Sequence, residues 1–214
     1  DGESEDNQTD TFPEFKQHDP LWSEIEYDSA LNWSEDPTMR RWGCLTTSVA
    51  MIMRYYGLDN LPDGTKLTPA SLNEWLKNQS DGNLGEGLLN WAAATRLTYL
   101  ISQHSDSPKL EFIIPREDFM EAAKSQLIKN EPVIINVPGH FLVAKDLGSE
   151  NASDDFAIVD PFYDYQKLSE HQDAAIGIRQ LIPSHTDLSY LLIVHHPQVE
   201  VEILFENGAE KLET

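Results

Sequence analysis

The chain has one cysteine, Cys44, among its 214 residues. That excludes a disulfide within the chain and any zinc site built from several thiolates. Basic residues are also scarce: 15 Lys and Arg stand against 37 Asp and Glu, for a net charge of −22. Such a surface repels phosphate backbones and anionic lipid headgroups, so nucleic acids and membranes are poor partners. A cationic peptide would be drawn to it; a plain solvated acidic surface is the other reading. No apolar run approaches the roughly eighteen residues needed to cross a bilayer, so no membrane insertion is expected. A signal-peptide pattern is absent too. The chain starts on the polar, acidic stretch DGESEDNQTDT. Sequons begin at Asn7, Asn32, Asn78 and Asn151; with the acidic surface they favour an extracellular or cell-surface setting over the cytoplasm.

What is present is globular. Apolar residues make up 40%, with five Trp, seven Tyr and eight Phe to fill a core. Residues 1–12 read as a disordered acidic leader, 13–197 as one domain, and 198–214 as a terminal strand or hairpin extension. Leu45, Val49, Ile52, Met53 and Tyr56 recur at helical spacing between Gly43 and Gly57, which predicts a helix over 44–56. Further helices are expected at 69–78, opened by Thr68-Pro69, at 86–95 and at 115–129. Strand signals follow at 133–137, 140–147, 156–162, 190–196 and 199–208. Helices first and an antiparallel sheet second make an α+β fold.

Three residues carry chemistry. Cys44 falls in the first turn of its helix, where free N–H groups and the positive end of the dipole favour a thiolate nucleophile. A small buried apolar residue is the alternative. His140 follows Pro138-Gly139 and starts a strand at the rim of the sheet. Asp160 ends the run FAIVD before Pro161. If 140–147 and 156–161 form a hairpin centred on 151–152, residue 140 lies opposite about 163, and Asp160 comes within reach of His140. A carboxylate on one imidazole nitrogen leaves the other nitrogen for a thiol, the arrangement of a base-activated nucleophile.

Several segments, in order, resemble the bacteriocin-processing (double-glycine) cysteine peptidases, and more closely their stand-alone papain-like relatives. They are QHDPLW (17–22), TMRRWGCLTTSVAMIMRYYG (38–57), TPASLNEWL (68–76), PVIINVPGHFLVAKDL (132–147) and FAIVDPF (156–162). The resemblance implies a papain-like fold, Cys44 as nucleophile, His140 as base and Asp160 as its orienter. It also implies peptide or protein substrates and no metal or organic cofactor. Papain-like enzymes place an oxyanion-hole glutamine just before the cysteine. Here that stretch, Thr38 to Gly43, holds no amide, and Gln17 is the candidate for the role. Arg41 and Trp42 stand where small residues are common and would narrow the cleft. The competing reading is a non-catalytic extracellular module that uses the same fold to bind peptides or surfaces. Other features carry less: His195-His196 lack a second ligand pair, GNLGEG (82–87) lacks the Lys and Ser/Thr of a phosphate loop, and Trp75 and Trp91 suit helix packing better than a groove.

Overall fold

The computed structural model describes residues 12–115, 118–148 and 155–184. Five helices precede or interrupt a five-stranded sheet. The helices are α1 (Met39–Trp42), α2 (Cys44–Tyr55), α3 (Pro69–Lys77), α4 (Trp91–Ser102) and α5 (Phe119–Leu127). The strands are β1 (Leu110–Ile113), β2 (Val133–Val137), β3 (His140–Asp146), β4 (Ala157–Val159) and β5 (Gly177–Pro183). The sheet order is β1-β5-β2-β3-β4, with every neighbouring pair antiparallel. This is the expected α+β architecture of papain-like type.

The central strands are apolar on both faces because both faces are covered. Ile134 and Val143 join Val49, Ile52, Met53, Leu72, Leu97 and Leu181 in a core under α2, α3 and α4. Val133, Ile135, Leu142, Ala144 and Ile158 point the other way, onto Ala123 and Leu127 of α5 and onto Phe156. The mostly apolar run of β2, broken only by half-buried Asn136, thus needs no fully exposed side. Burying each large aliphatic residue in these layers contributes roughly 1.5–3 kcal/mol.

Two loop features position the site. Val137 pairs with His140, so Pro138-Gly139 is a two-residue hairpin turn, and Gly139 takes φ +73°. Proline followed by a left-handed glycine is the sequence a type II turn favours. Gly43 separates α1 from α2 and donates its N–H to the Met39 carbonyl at 2.8 Å. A Cβ there would stand 2.5 Å from that same oxygen, so only glycine permits the close approach.

The segment 12–22 straps the two halves together. Phe12 stacks on Tyr55 of α2, and Glu14 pairs with Lys145 of β3. Gln17 donates its backbone N–H to the Pro161 carbonyl at 2.8 Å, while its side chain reaches Arg40. Trp22 is buried, packs edge-on to Phe15, and donates from Nε1 to the Lys16 carbonyl.

Several sequence expectations shift. The helix expected at 86–95 runs instead from Trp91 to Ser102. Gly85, Glu86 and Gly87 all have positive φ, and the Asn90 side chain caps the helix by accepting from the Ala92 N–H. The helix expected at 115–129 is shorter, Phe119–Leu127, because Asp118 is left-handed at its start and Asn130 is left-handed just beyond its end. Two strands, β1 and β5, occupy stretches to which the sequence reading assigns nothing. The hairpin register is close to expectation: Val143 pairs with Val159 and Ala144 with Ile158, which sets His140 level with residue 162. Residues 1–11 of the expected leader, the strands at 190–196 and 199–208, the C-terminal extension and His195-His196 lie outside the described residues, while Phe12, placed at the end of that leader, is ordered against Tyr55.

Candidate active site

Cys44 is the first residue of α2, which packs across β3. It is half-buried. As the first helical residue it has an N–H that precedes the intrahelical ladder and points out of the helix end. His140 opens β3 directly after the Pro138-Gly139 turn. Asp160 follows the last residue of β4 and is buried. The three elements meet at one end of the sheet.

His140 Nε2 lies 2.9 Å from Asp160 Oδ1 and 3.1 Å from Oδ2. An ionised carboxylate only accepts, so Nε2 carries a proton. The Cys44 thiol lies close enough to the same ring to help hold its proton. With Nε2 committed to Asp160, Nδ1 is the nitrogen left for sulfur. Burial works against the imidazolium, but hydrogen bonds to Asp160 and Cys44 and their charges outweigh it, and His140 is pushed up to about 9. These contacts favour the protonated ring beside the Cys44 sulfur.

Asp160 is held from several sides. Its Oδ1 accepts the backbone N–H groups of Phe162 at 2.7 Å and Tyr163 at 2.8 Å. These bonds fold residues 160–163 into a tight turn and explain why β4 stops at Val159 rather than running to 162. Burial opposes the carboxylate, yet the His140 bond and charge, with the two N–H donors, hold its pKa below the usual value. Lys16 Nζ donates to the Asp160 carbonyl at 3.0 Å and pairs with Asp164.

Gln17 is buried and lies near this group, between the Pro161 carbonyl and α1. Its Nε2 donates to the Arg40 carbonyl at 2.6 Å, and its Oε1 has no partner. One of the two amide hydrogens stays uncommitted. Arg41 lies over the Trp42 ring at 4.6 Å. Trp42 is itself tied down, edge-on to Trp33 and with Nε1 on Ser34 and Asp36. Trp91 stacks on Phe112 at 4.3 Å against the core, and Trp75 packs there too.

Two neighbours went unnoticed in the sequence. Tyr27 is buried and donates its hydroxyl to the Gly87 carbonyl. Burial, with the Cys44 and Asp28 charges nearby, pushes its phenol up, so it stays a neutral donor. His171 places Nε2 at 2.8 Å from Asp160 Oδ2. Nothing in the local sequence SEHQDAA marks that histidine; only the contact across the fold does. Among the described residues there is no cluster of three or more His, Cys, Asp or Glu arranged to hold a metal, and no helix long and apolar enough to cross a membrane.

No curated protein matches this chain. The model of one protein family, the Peptidase_C39-like family, matches residues 11–178, a span that takes in the strap, α2, the sheet up to the start of β5, and Cys44, His140 and Asp160. By that match over most of its length, the chain belongs to the Peptidase_C39-like family.

Proposed function

We propose that the protein is a cysteine peptidase that cleaves peptide bonds through Cys44, His140 and Asp160. The observation that carries this reading is the His140 ring set between a buried carboxylate and a thiol on a helix N-terminus. Proton transfer from the thiol to His140 forms a thiolate–imidazolium pair. The thiolate attacks the scissile carbonyl carbon, and the carbonyl π electrons move to oxygen. The tetrahedral intermediate collapses, the C–N bond breaks, and His140 Nδ1 gives its proton to the departing amine. An acyl-enzyme thioester remains. Water, deprotonated by His140, hydrolyses it and restores the thiol.

Two donors are assigned to the oxyanion. One is the Cys44 N–H at the start of α2, where the helix dipole adds its positive end. The other is the uncommitted Gln17 amide hydrogen, whose side chain is fixed by the bond to Arg40. Asp160 keeps the Nε2–H tautomer, so that Nδ1 faces sulfur. The substrate is a peptide or protein.

The test compares the native chain with Cys44→Ala on a mixed peptide library, read by mass spectrometry. Peptides should be cleaved by the native chain and left intact by the variant, while circular dichroism shows the same fold. Iodoacetamide should alkylate Cys44 at neutral pH, and His140→Ala should slow that reaction about tenfold or more. Equal alkylation of the native and His140→Ala chains, together with an uncut library, would return the chain to the class of peptide-binding modules.

A further inference from the structure

The Asp160 carboxylate serves two imidazoles. Oδ1 takes the Phe162 and Tyr163 N–H groups and the shorter His140 contact. Oδ2 takes His171 Nε2 at 2.8 Å and only the longer, 3.1 Å side of His140 Nε2. The His171 side chain is 7% exposed and that of Asp160 is fully buried. Tyr165 packs edge-on to the His171 ring at 4.9 Å, and Tyr163 edge-on at 5.8 Å, so the ring has little room to leave. The two imidazoles are 5.9 Å apart, centre to centre. A histidine on a buried acid is often only a satisfied polar group; here the acid is the one that holds the proposed base.

We propose that His171 is a positioning residue: by donating to Oδ2 it divides the Asp160 carboxylate between two rings and limits that carboxylate's pull on the His140 proton. Because an ionised carboxylate only accepts, His171 must present N–H to it. The positive end of that N–H faces the same oxygens as the His140 proton. It stabilises the ionised acid on its own account and weakens the attraction left for His140. Loss of the donor strengthens the Asp160–His140 pair. The sign is the same whether His171 is neutral or cationic, since either form opposes a positive charge on His140.

The consequence is catalytic. His140 must give its proton to the leaving amine, and an imidazolium held too tightly is a poor acid. His140 already stands at about 9 with His171 in place. The other charged or titratable groups around it are Cys44 on α2, Lys16 on the Asp160 and Tyr163 carbonyls, and Tyr163 and Tyr165. None of these is changed by a substitution at residue 171.

The meaning of the proposal rests on the peptidase reading, but its test does not. The full chain carrying Cys44→Ala, with labelled histidine rings, is titrated by NMR, and the His140 midpoint is followed. Removing the thiol leaves Asp160 and His171 as the groups under test. His171→Phe keeps a ring without a donor, and His171→Asn removes the donor from the Nε2 position. His171→Gln returns an N–H donor to that position. The His140 midpoint should rise by about half a pH unit or more with Phe and with Asn, and stay within about 0.2 unit of the parent with Gln. If the Phe chain does not fold, the Asn–Gln comparison decides the question. An unchanged or lowered midpoint in the donor-less chains overturns the proposal, as does a Gln chain that behaves like them. Absence of peptide cleavage in the native chain would remove the peptidase reading and leave this comparison intact.

Discussion

Replacing Asp160 by Asn removes one charge and turns one acceptor into a donor, at a position where four N–H groups converge. The Phe162 and Tyr163 N–H groups and His140 can still be served by the amide oxygen at the Oδ1 position. The amide nitrogen then meets His171 Nε2, donor against donor, and forces that ring to its other tautomer. His140 is raised from the ordinary 6.5 to about 9. That gap corresponds to about 3 kcal/mol favouring the folded imidazolium. Against the burial that works the other way, the Asp160 bond is the leading cause of the rise, ahead of the Cys44 bond, and the Asp160 charge adds to it. The variant's His140 midpoint should therefore fall by about one to two pH units. The sign of the stability effect follows from a raised pKa. The His140 contribution is fully present below about 6.5 and is lost as pH rises through about 9. Native stability in urea should accordingly fall by up to about 3 kcal/mol across that window, and that of Asp160→Asn by about half as much. On the acid side, Asp160 itself is depressed, so its contribution is lost only as pH drops below the usual carboxylate range; the variant lacks that loss. Peptide turnover should fall on the order of 10- to 10³-fold. That is less than in serine enzymes, because a thiolate–imidazolium pair can form without its third member. If His140 titration, the pH profile of Cys44 alkylation and turnover all superimpose on the native chain, Asp160 is a turn residue before Pro161 and the triad assignment is wrong.

Other substitutions probe the scaffold and the oxyanion site. Gly43→Ala should cost about 1–3 kcal/mol and misplace Cys44, because the added Cβ meets the Met39 carbonyl rather than a side chain that can yield; a urea midpoint equal to native would show that α1 can shift freely. Gln17→Ala should lower kcat about 10²-fold or more with a smaller change in KM, the pattern of a donor used mainly in the transition state; a change confined to KM would place Gln17 in substrate binding instead. Cys44→Ala should abolish turnover and cost about 1 kcal/mol of stability, since the side chain is small and only half-buried. Unfolding of that variant by circular dichroism would point to a structural cysteine.

The parts of this molecule that could be read in advance are those whose causes are local. Gly43 before an amphipathic run announces the Cys44 helix, and Pro138-Gly139 announces the turn that sets His140 on the rim. Asp160 was found because four apolar residues lead to a carboxylate and then a proline. β1 and β5 escaped for the opposite reason. They pair with each other across a long separation, and β5 carries Arg179 and Gln180 in its middle, although Gln180 is buried between neighbouring strands. The helix expected at 86–95 failed because GEGLLNW has helical apolar spacing, while the backbone of Gly85, Glu86 and Gly87 is left-handed. His171 left no trace in its own segment. Its partner is Asp160, and the packing that turns its ring inward comes from Tyr163 and Tyr165.

The strap formed by residues 12–22 has a consequence for the order in which this chain can become active. Gln17 is fastened to the Pro161 carbonyl at one end and to Arg40 at the other, and Lys16 bridges the same turn. The strap thus waits for residues 144 positions further along the chain. Closing a loop of that length carries an entropic cost before any contact rewards it, which makes such pairings late events in folding. The helical half can collapse on its own apolar face, but in that state Cys44 has neither its imidazole nor its Gln17 amide. The proposed nucleophile thus lacks its proposed base and oxyanion donor until the step that completes the sheet. On the proposed reading, cleavage activity therefore arrives only with the completed sheet.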